Sequence, residues 1–181
     1  MDLSAAEIQY LVEGCKRNDL IAQKKLYASF YTYCVHVCLP YTRNEEDADD
    51  ILSDAFIRIF KNIHQFDAGK GSLYAWIKRI VVNAALDFLK KHSKFTSSTL
   101  EEAEGIVIEN TIIEKLSADD LLQEIRSLPD ATQAVFNLYC IEGFNHREIS
   151  AMLGIKEGTS KWHLSEARTL LKQRLLKYEL A

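Results

Sequence analysis

The sequence predicts an all-α fold: two helical domains joined by a flexible linker, the second containing a helix-turn-helix. Three observations carry this prediction. Long segments repeat their apolar residues at helical spacing. The 181-residue chain has only two prolines, Pro40 and Pro129, and seven glycines, so little interrupts a helix. Between residues 93 and 116, SKFTSSTLEEAEGIVIENTIIEKL, Ser and Thr give way to acids with weak periodicity, and the stretch reads as an interdomain linker. The expected division is therefore a domain over residues 1–92, a linker over 93–116 and a second domain over 117–181.

The elements follow in order. Ser4 and Glu7 form a capping box for a first helix ending near Lys16. Asp19 can cap the next, from about Leu20 to Cys38, whose aromatics Tyr27, Phe30, Tyr31 and Tyr33 are expected in the core. Pro40 and Asn44 break the chain. A third helix, EEDADDILSDAFIRIFKN, runs from about Glu45 to Asn62 with an acidic first turn that suits the helix dipole. Ile51, Ala55, Ile59 and Ile63 line up as its inward face, with Asp47, Asp50 and Asp54 on another side. The loop HQFDAGKG, residues 64–71, carries one aromatic, Phe66. A fourth helix, SLYAWIKRIVVNAALDFLKKH, has two stripes. Leu73, Ile77, Val81, Ala84 and Phe88 make the core stripe, and Trp76, Arg79, Asn83 and Lys90 a mixed polar one. Asn is a poor mid-helix residue. Asn83 either hydrogen-bonds a neighbouring helix or, with Trp76 and the flanking cations, serves unpaired bases, which need stacking, edge readout and phosphate contacts.

In the second domain Ser117 caps a short helix, ADDLLQEIRS, and LPDATQ opens another that runs through Ile141. The stretch NHREISAMLGIKEGTSKWHLSEARTLLK, residues 145–172, then reads as two helices joined by a tight turn. Asn145 and Glu148 sit as an N-cap and its partner, Ile149, Met152 and Leu153 give an apolar face, and Gly154 supplies a left-handed stop. The last helix starts near Glu157 and buries Leu164, Ala167, Leu171 and Leu175. Its other face carries Trp162, Ser165, Glu166 and Thr169, flanked by Lys161 and His163. Donors, an acceptor and a flat apolar group are what a helix needs in a major groove. The same spacing also suits an ordinary helical hairpin with Trp162 covered by another helix.

Net charge is −4, unusual for a nucleic-acid binder, but the total hides blocks. Residues 45–54 hold six acids and no base, and residues 101–124 eight acids against Lys115. Residues 70–94 hold six bases against Asp87, and residues 146–177 seven bases against three acids. Two basic patches between acidic ones suit two DNA contacts and a protein contact. Cys34 and Cys38 flank His36 one helical turn apart, but no further ligand cluster stands near them, so buried reduced thiols are expected and no metal. No apolar run is long enough for a membrane span and the N-terminus has no signal-peptide pattern, so a cytoplasmic protein without membrane insertion is expected. No nucleophile–base pair, Gly-rich phosphate loop or ligand quartet points to an enzyme, and neither catalytic residues nor a cofactor are expected.

On these residues the chain resembles the extracytoplasmic-function (ECF) sigma factors, the two-domain promoter-specificity subunits of bacterial RNA polymerase. The matching stretches are EEDADDILSDAFIRIFKNIHQFD, GSLYAWIKRIVVNAALDFLKK and LPDATQAVFNLYCIEGFNHREISAMLGIKEGTSKWHLSEARTLL, nearly everything outside the linker. The resemblance implies that the acidic third helix binds the clamp of core RNA polymerase through Asp47, Asp50, Ile51 and Asp54. Ser53 stands where the family usually has Gln. It implies that Phe66, Trp76, Lys78, Arg79, Asn83 and Lys90 recognise the minus-ten element as a melted strand, with a flipped base held by the loop and Asn83. It also implies that the last helix reads the minus-thirty-five element through Thr159, Lys161, Trp162, His163, Ser165, Glu166 and Arg168. His163 and Glu166 replace residues that are often basic in the family, and Glu166 can accept from a cytosine amino group. Promoter DNA and the polymerase core are the implied partners, and an anti-sigma factor is a third.

Two other classes give different expectations. A one-component regulator with a helical sensor domain would dimerise and bind duplex tightly without polymerase. A helical adaptor would bury Trp162 and Asn83 in protein contacts.

Overall fold

The computed structural model describes residues 3–92 and 117–175. The expected linker, 93–116, lies outside the described residues. All regular elements among the described residues are helical. The chain divides into two compact units between Phe88 and Leu89, four residues before the expected boundary.

The first unit is built from α1 (Ala5–Lys16), α2 (Leu20–Cys38), α3 (Glu45–Asn62) and the part of α4 (Leu73–His92) up to Phe88. The Ser4/Glu7 capping box forms, and the Asp19 carboxylate accepts from the Ile21 amide at 2.8 Å to start α2. Asn44 Oδ1 accepts from the Asp47 amide at 2.8 Å to start α3. Gly14 lets α1 and α2 approach closely: a Cβ there would run into the Ala22 Cβ. The core joins Leu11, Val12 and Cys15 of α1 to Leu26, Phe30 and Cys34 of α2, Ile51, Ala55 and Ile59 of α3, and Leu73, Ile77 and Val81 of α4.

Of the α2 aromatics only Phe30 is fully buried. Tyr27 and Tyr31 are exposed, which corrects the expected core role. They sit one position round the helix from the buried Ala22, Leu26, Phe30 and Cys34 stripe and pack on its outer edge, Tyr27 against Phe56 at 4.4 Å. Cys34 and Cys38 are buried, and burial pushes the Cys34 thiol up to about 12. His36 is exposed on a different side of the helix.

The second unit contains α5 (Ala118–Arg126), α6 (Asp130–Phe136), α7 (His146–Leu153) and α8 (Glu157–Leu175). Ser117 and Asp120 form a capping box on α5, and Asn145 and Glu148 one on α7. The expected helix through Ile141 changes pitch partway. Residues Asn137–Ile141 form a π turn closed by the Glu142 amide on the Asn137 carbonyl at 2.9 Å. Gly154 takes φ 71°, and the Gly154 and Ile155 amides both donate to the Ser150 carbonyl, which ends α7 and turns the chain into α8. Ile125 and Leu128 pack with Ala167 and Leu171 in the core. The Arg174 guanidinium secures the far end of α8 by donating to the Ser127 hydroxyl and the Glu124 carbonyl.

Candidate nucleic-acid and partner-binding surfaces

Three surfaces gather the residues singled out in the sequence. The first lies along α4. The Ser72 hydroxyl accepts from the Ala75 amide at 3.1 Å and starts the helix. At about 100° per residue, Trp76, Arg79, Asn83, Asp87 and Lys90 then fall within one quarter of the helix surface. Arg79, Asn83, Asp87 and Lys90 are exposed and Trp76 is half-buried. Phe66 is only 9% exposed and meets Trp76 edge-on at 5.7 Å. Its place is behind the tryptophan, bracing it. Lys78 does not join the stripe either. It is half-buried and two positions beyond Trp76, which carries it more than half a turn round the helix. The loop ahead of α4 is tied by Asp67, whose carboxylate accepts from the Gly69 amide at 2.9 Å.

The second surface lies on α3. Asp50 is exposed. Asp47 is engaged at the start of the helix, its carboxylate accepting from the Arg43 amide at 3.1 Å. Asp54 pairs with Arg58 at 2.7 Å. Ile51 corrects the expectation of a surface contact. It is 1% exposed and belongs to the inward stripe with Ala55 and Ile59. Helical periodicity puts it on that stripe too, and burial decides between its two assignments. The apolar residue that does face outward is Ile57, 65% exposed and about one turn from both Ser53 and Asp54. Its signal in the sequence is an isoleucine that falls off the buried stripe of an otherwise polar face.

The third surface is the outer face of α8. Lys161 is exposed, and Thr159, Trp162, Ser165, Glu166 and Arg168 are half-buried. Arg168 lies beside the Cys140 thiol. His163 is the exception: it is 5% exposed and its Nδ1 lies 3.0 Å from the Thr132 hydroxyl of α6. With Ser160, Leu164, Ala167 and Leu171 it continues the inward stripe of α8, and so cannot reach a groove. Burial lowers its pKa, which favours the neutral ring.

Sequence reasoning missed His146. Its Nδ1 lies 3.0 Å from the hydroxyl of buried Ser160, and its ring stacks on Tyr139 of the π turn at 4.7 Å. These contacts tie the start of α8 to α7 and the turn before it. Burial, helped by the nearby Lys161 charge, lowers the His146 pKa as well. The only signal in the sequence is a histidine just after an N-cap, and that position alone does not separate a packed ring from a solvated one.

No described helix is long and apolar enough to cross a membrane. The π turn leaves Tyr139 and Ile141 partly exposed, and α2 leaves Leu20 and Ile21 exposed.

Residues 26–95 match the family profile Sigma-70 region 2, and residues 118–171 match Sigma-70 region 4. The first match contains the α3 and α4 surfaces and the second contains the outer face of α8. The chain is 32% identical over 139 residues to the ECF RNA polymerase sigma factor SigM of Mycobacterium tuberculosis, covering 76% of this chain and 68% of that one. It is 25% identical over 181 residues to the ECF sigma factor SigW of Bacillus subtilis, covering 93% and 96%. Among solved structures its fold is similar to that of the sigma factor RpoE in complex with the anti-sigma factor NepR from Bartonella quintana. That match has TM-score 0.53 and 20% identity, and covers 85% of this chain and 96% of the other. It is also similar to CnrH in complex with the cytosolic domain of CnrY, at TM-score 0.50 and 20% identity, covering 95% and 98%. With two sigma regions in order and curated relatives that match across both, the chain belongs to the ECF family of RNA polymerase sigma factors.

Proposed function

We propose that the chain binds core RNA polymerase and directs it to promoters, reading a duplex element with α8 and a melted element with α4. The observation that carries this reading is the pairing, in one chain, of two differently built nucleic-acid faces. The α4 stripe offers a tryptophan, an amide and cations, a set suited to unstacked bases. The α8 face offers hydroxyls, a carboxylate and cations at the spacing of a recognition helix, a set suited to base edges in a major groove.

The work is binding rather than covalent chemistry. Capturing unstacked bases offsets part of the cost of opening the duplex, which is on the order of a few kcal/mol for a flipped base. Asn83 is the group on α4 able to donate and accept at a base edge, and Trp76, braced by Phe66, is the stacking platform. On α8, Lys161 and Arg168 meet phosphates while Ser165 and Glu166 face the bases. Glu166 favours a cytosine, whose amino group donates to a carboxylate.

On α3, Asp50 and Asp54 give an acidic edge and Ile57 an apolar contact, and this face is the proposed dock for the polymerase clamp. An anti-sigma protein is a further proposed partner, because one of the similar solved structures holds a sigma factor bound to one. On this reading the chain works in the bacterial cytoplasm, where the polymerase is.

The test is a competition for core polymerase against a labelled housekeeping sigma factor. The wild-type chain is expected to displace the label, and Asp50→Asn combined with Ile57→Glu to do so at least about tenfold more weakly, as for loss of a central contact and a charge. Displacement at the wild-type concentration by that variant would remove α3 as the docking face.

A further inference from the structure

Arg58 and Asp87 form a contact whose position the two DNA-reading surfaces do not explain. The Arg58 Nη2 lies 2.7 Å from Asp54 Oδ2 within α3, and its Nη1 lies 2.7 Å from Asp87 Oδ2 on α4. The planar guanidinium suits this: it presents several donors in a fixed fork and can hold two carboxylates at once. The Asp87 hydrogen bond is the foremost cause that raises the pKa of Arg58, and the bond to Asp54 adds to it.

Asp87 is the only acid among six bases over residues 70–94. It stands on the α4 stripe itself, one turn beyond Asn83 and just short of Lys90. A carboxylate there faces the phosphates of any strand lying along the stripe, and Coulomb repulsion opposes binding. For affinity alone an amide or a cation would serve better at this position. The acid is instead turned onto a cation supplied by the neighbouring helix, which both cancels its charge and links the two helices.

We propose that Arg58 is a positioning residue for promoter opening: through Asp87 it clasps the polymerase-facing helix α3 to the DNA-reading helix α4 and fixes where Asn83 is presented. This rests on the function proposed above. The clasp also connects the two surfaces. A basic partner group that takes Asp54 leaves the guanidinium to Asp87, so docking on α3 tightens the tie to α4. Because all three side chains are partly exposed, the pairs add little to fold stability. Their loss therefore appears in function rather than in unfolding.

The test uses the full chain with core polymerase on a promoter fragment and follows strand opening by permanganate reactivity of unpaired thymines. Asp87→Asn and Arg58→Gln are each expected to slow opening at least about tenfold, within the roughly hundredfold that a misplacement of about 1 Å can cost. The melting temperature stays at its wild-type value, and opening is compared with core polymerase saturated, so that release of Asp54 from Arg58 does not enter the rate. The reversed pair, Arg58→Asp with Asp87→Arg, regains most of the lost rate. The sign of the Asp87→Asn effect is the discriminating observation, since removing an acid from a DNA-facing stripe should speed opening if charge alone matters. Opening by Asp87→Asn at or above the wild-type rate sinks the clasp while leaving the sigma function intact. Failure of the wild-type chain to open any promoter with core polymerase would sink both.

Discussion

Trp162 and His163 are neighbours in sequence with opposite placements. Trp162 stays on the outer face of α8, while His163 turns inward to Thr132. Replacing His163 with Ala leaves the buried Thr132 hydroxyl without that partner and should cost about 1–3 kcal/mol of stability. Urea unfolding measures this directly, and an unchanged midpoint would return His163 to the surface. The ring also sets a pH dependence. Its folded pKa is lowered from the ordinary value of 6.5. Just below pH 6.5 the unfolded chain therefore binds more protons than the folded one. His163 thus leaves stability at its full value above that point and lowers it as pH falls through the window down to the folded pKa. His146, shifted the same way, adds to the slope. His163→Ala is expected to flatten the fall between pH 7 and pH 5. Asn83 is the contrasting case. It is exposed, so Asn83→Ala should leave the melting temperature alone while removing about 1–3 kcal/mol of base recognition. A drop in melting temperature large enough to account for the lost promoter opening would contradict its role at the strand.

At the scale of elements, helix starts were legible because their chemistry is local. Ser4 with Glu7, Ser117 with Asp120 and Asn145 with Glu148 all cap as their spacing indicates. The inward stripes of α3 and α8 were legible for the same reason, since one periodicity sets them. What the sequence left undecided depends on neighbouring helices. The pattern made Ile51 a core residue while the family resemblance implied a contact, and it packs in the core, 1% exposed. Tyr27 and Tyr31 looked like core by their aromatic character, but α2 is covered on one side and they fall at its margin. The π turn at Asn137–Ile141 left no local signal, because a one-residue change of pitch does not alter composition. Two substitutions separate these roles. Ile51→Ala should lower stability by about 2–4 kcal/mol through the cavity it leaves, whereas Ile57→Ala should be neutral to folding and weaken polymerase binding. Gly154→Ala forces a side chain into the left-handed region and should cost about 1–2 kcal/mol, read as a lower melting temperature of the second unit. An unchanged value would mean that the turn adopts another conformation.

For the whole molecule, the charge pattern accounts for why the chain is expected to depend on a partner. Net charge is −4, and each basic face is small, so the electrostatic part of DNA binding is modest. Free protein should bind duplex weakly, with a shallow salt dependence set by few phosphate contacts, while the complex with core polymerase binds specifically. Each unit carries one of the proposed reading surfaces, and both must act on one promoter. The most direct measurement mixes the purified full chain with core bacterial RNA polymerase on genomic DNA and sequences the transcript starts. Discrete new starts, absent with core alone, that share a two-part upstream motif are the expected result. Starts no different from those of core alone, together with tight sequence-specific duplex binding by the free chain, would contradict it and point to a regulator that works without being part of the polymerase.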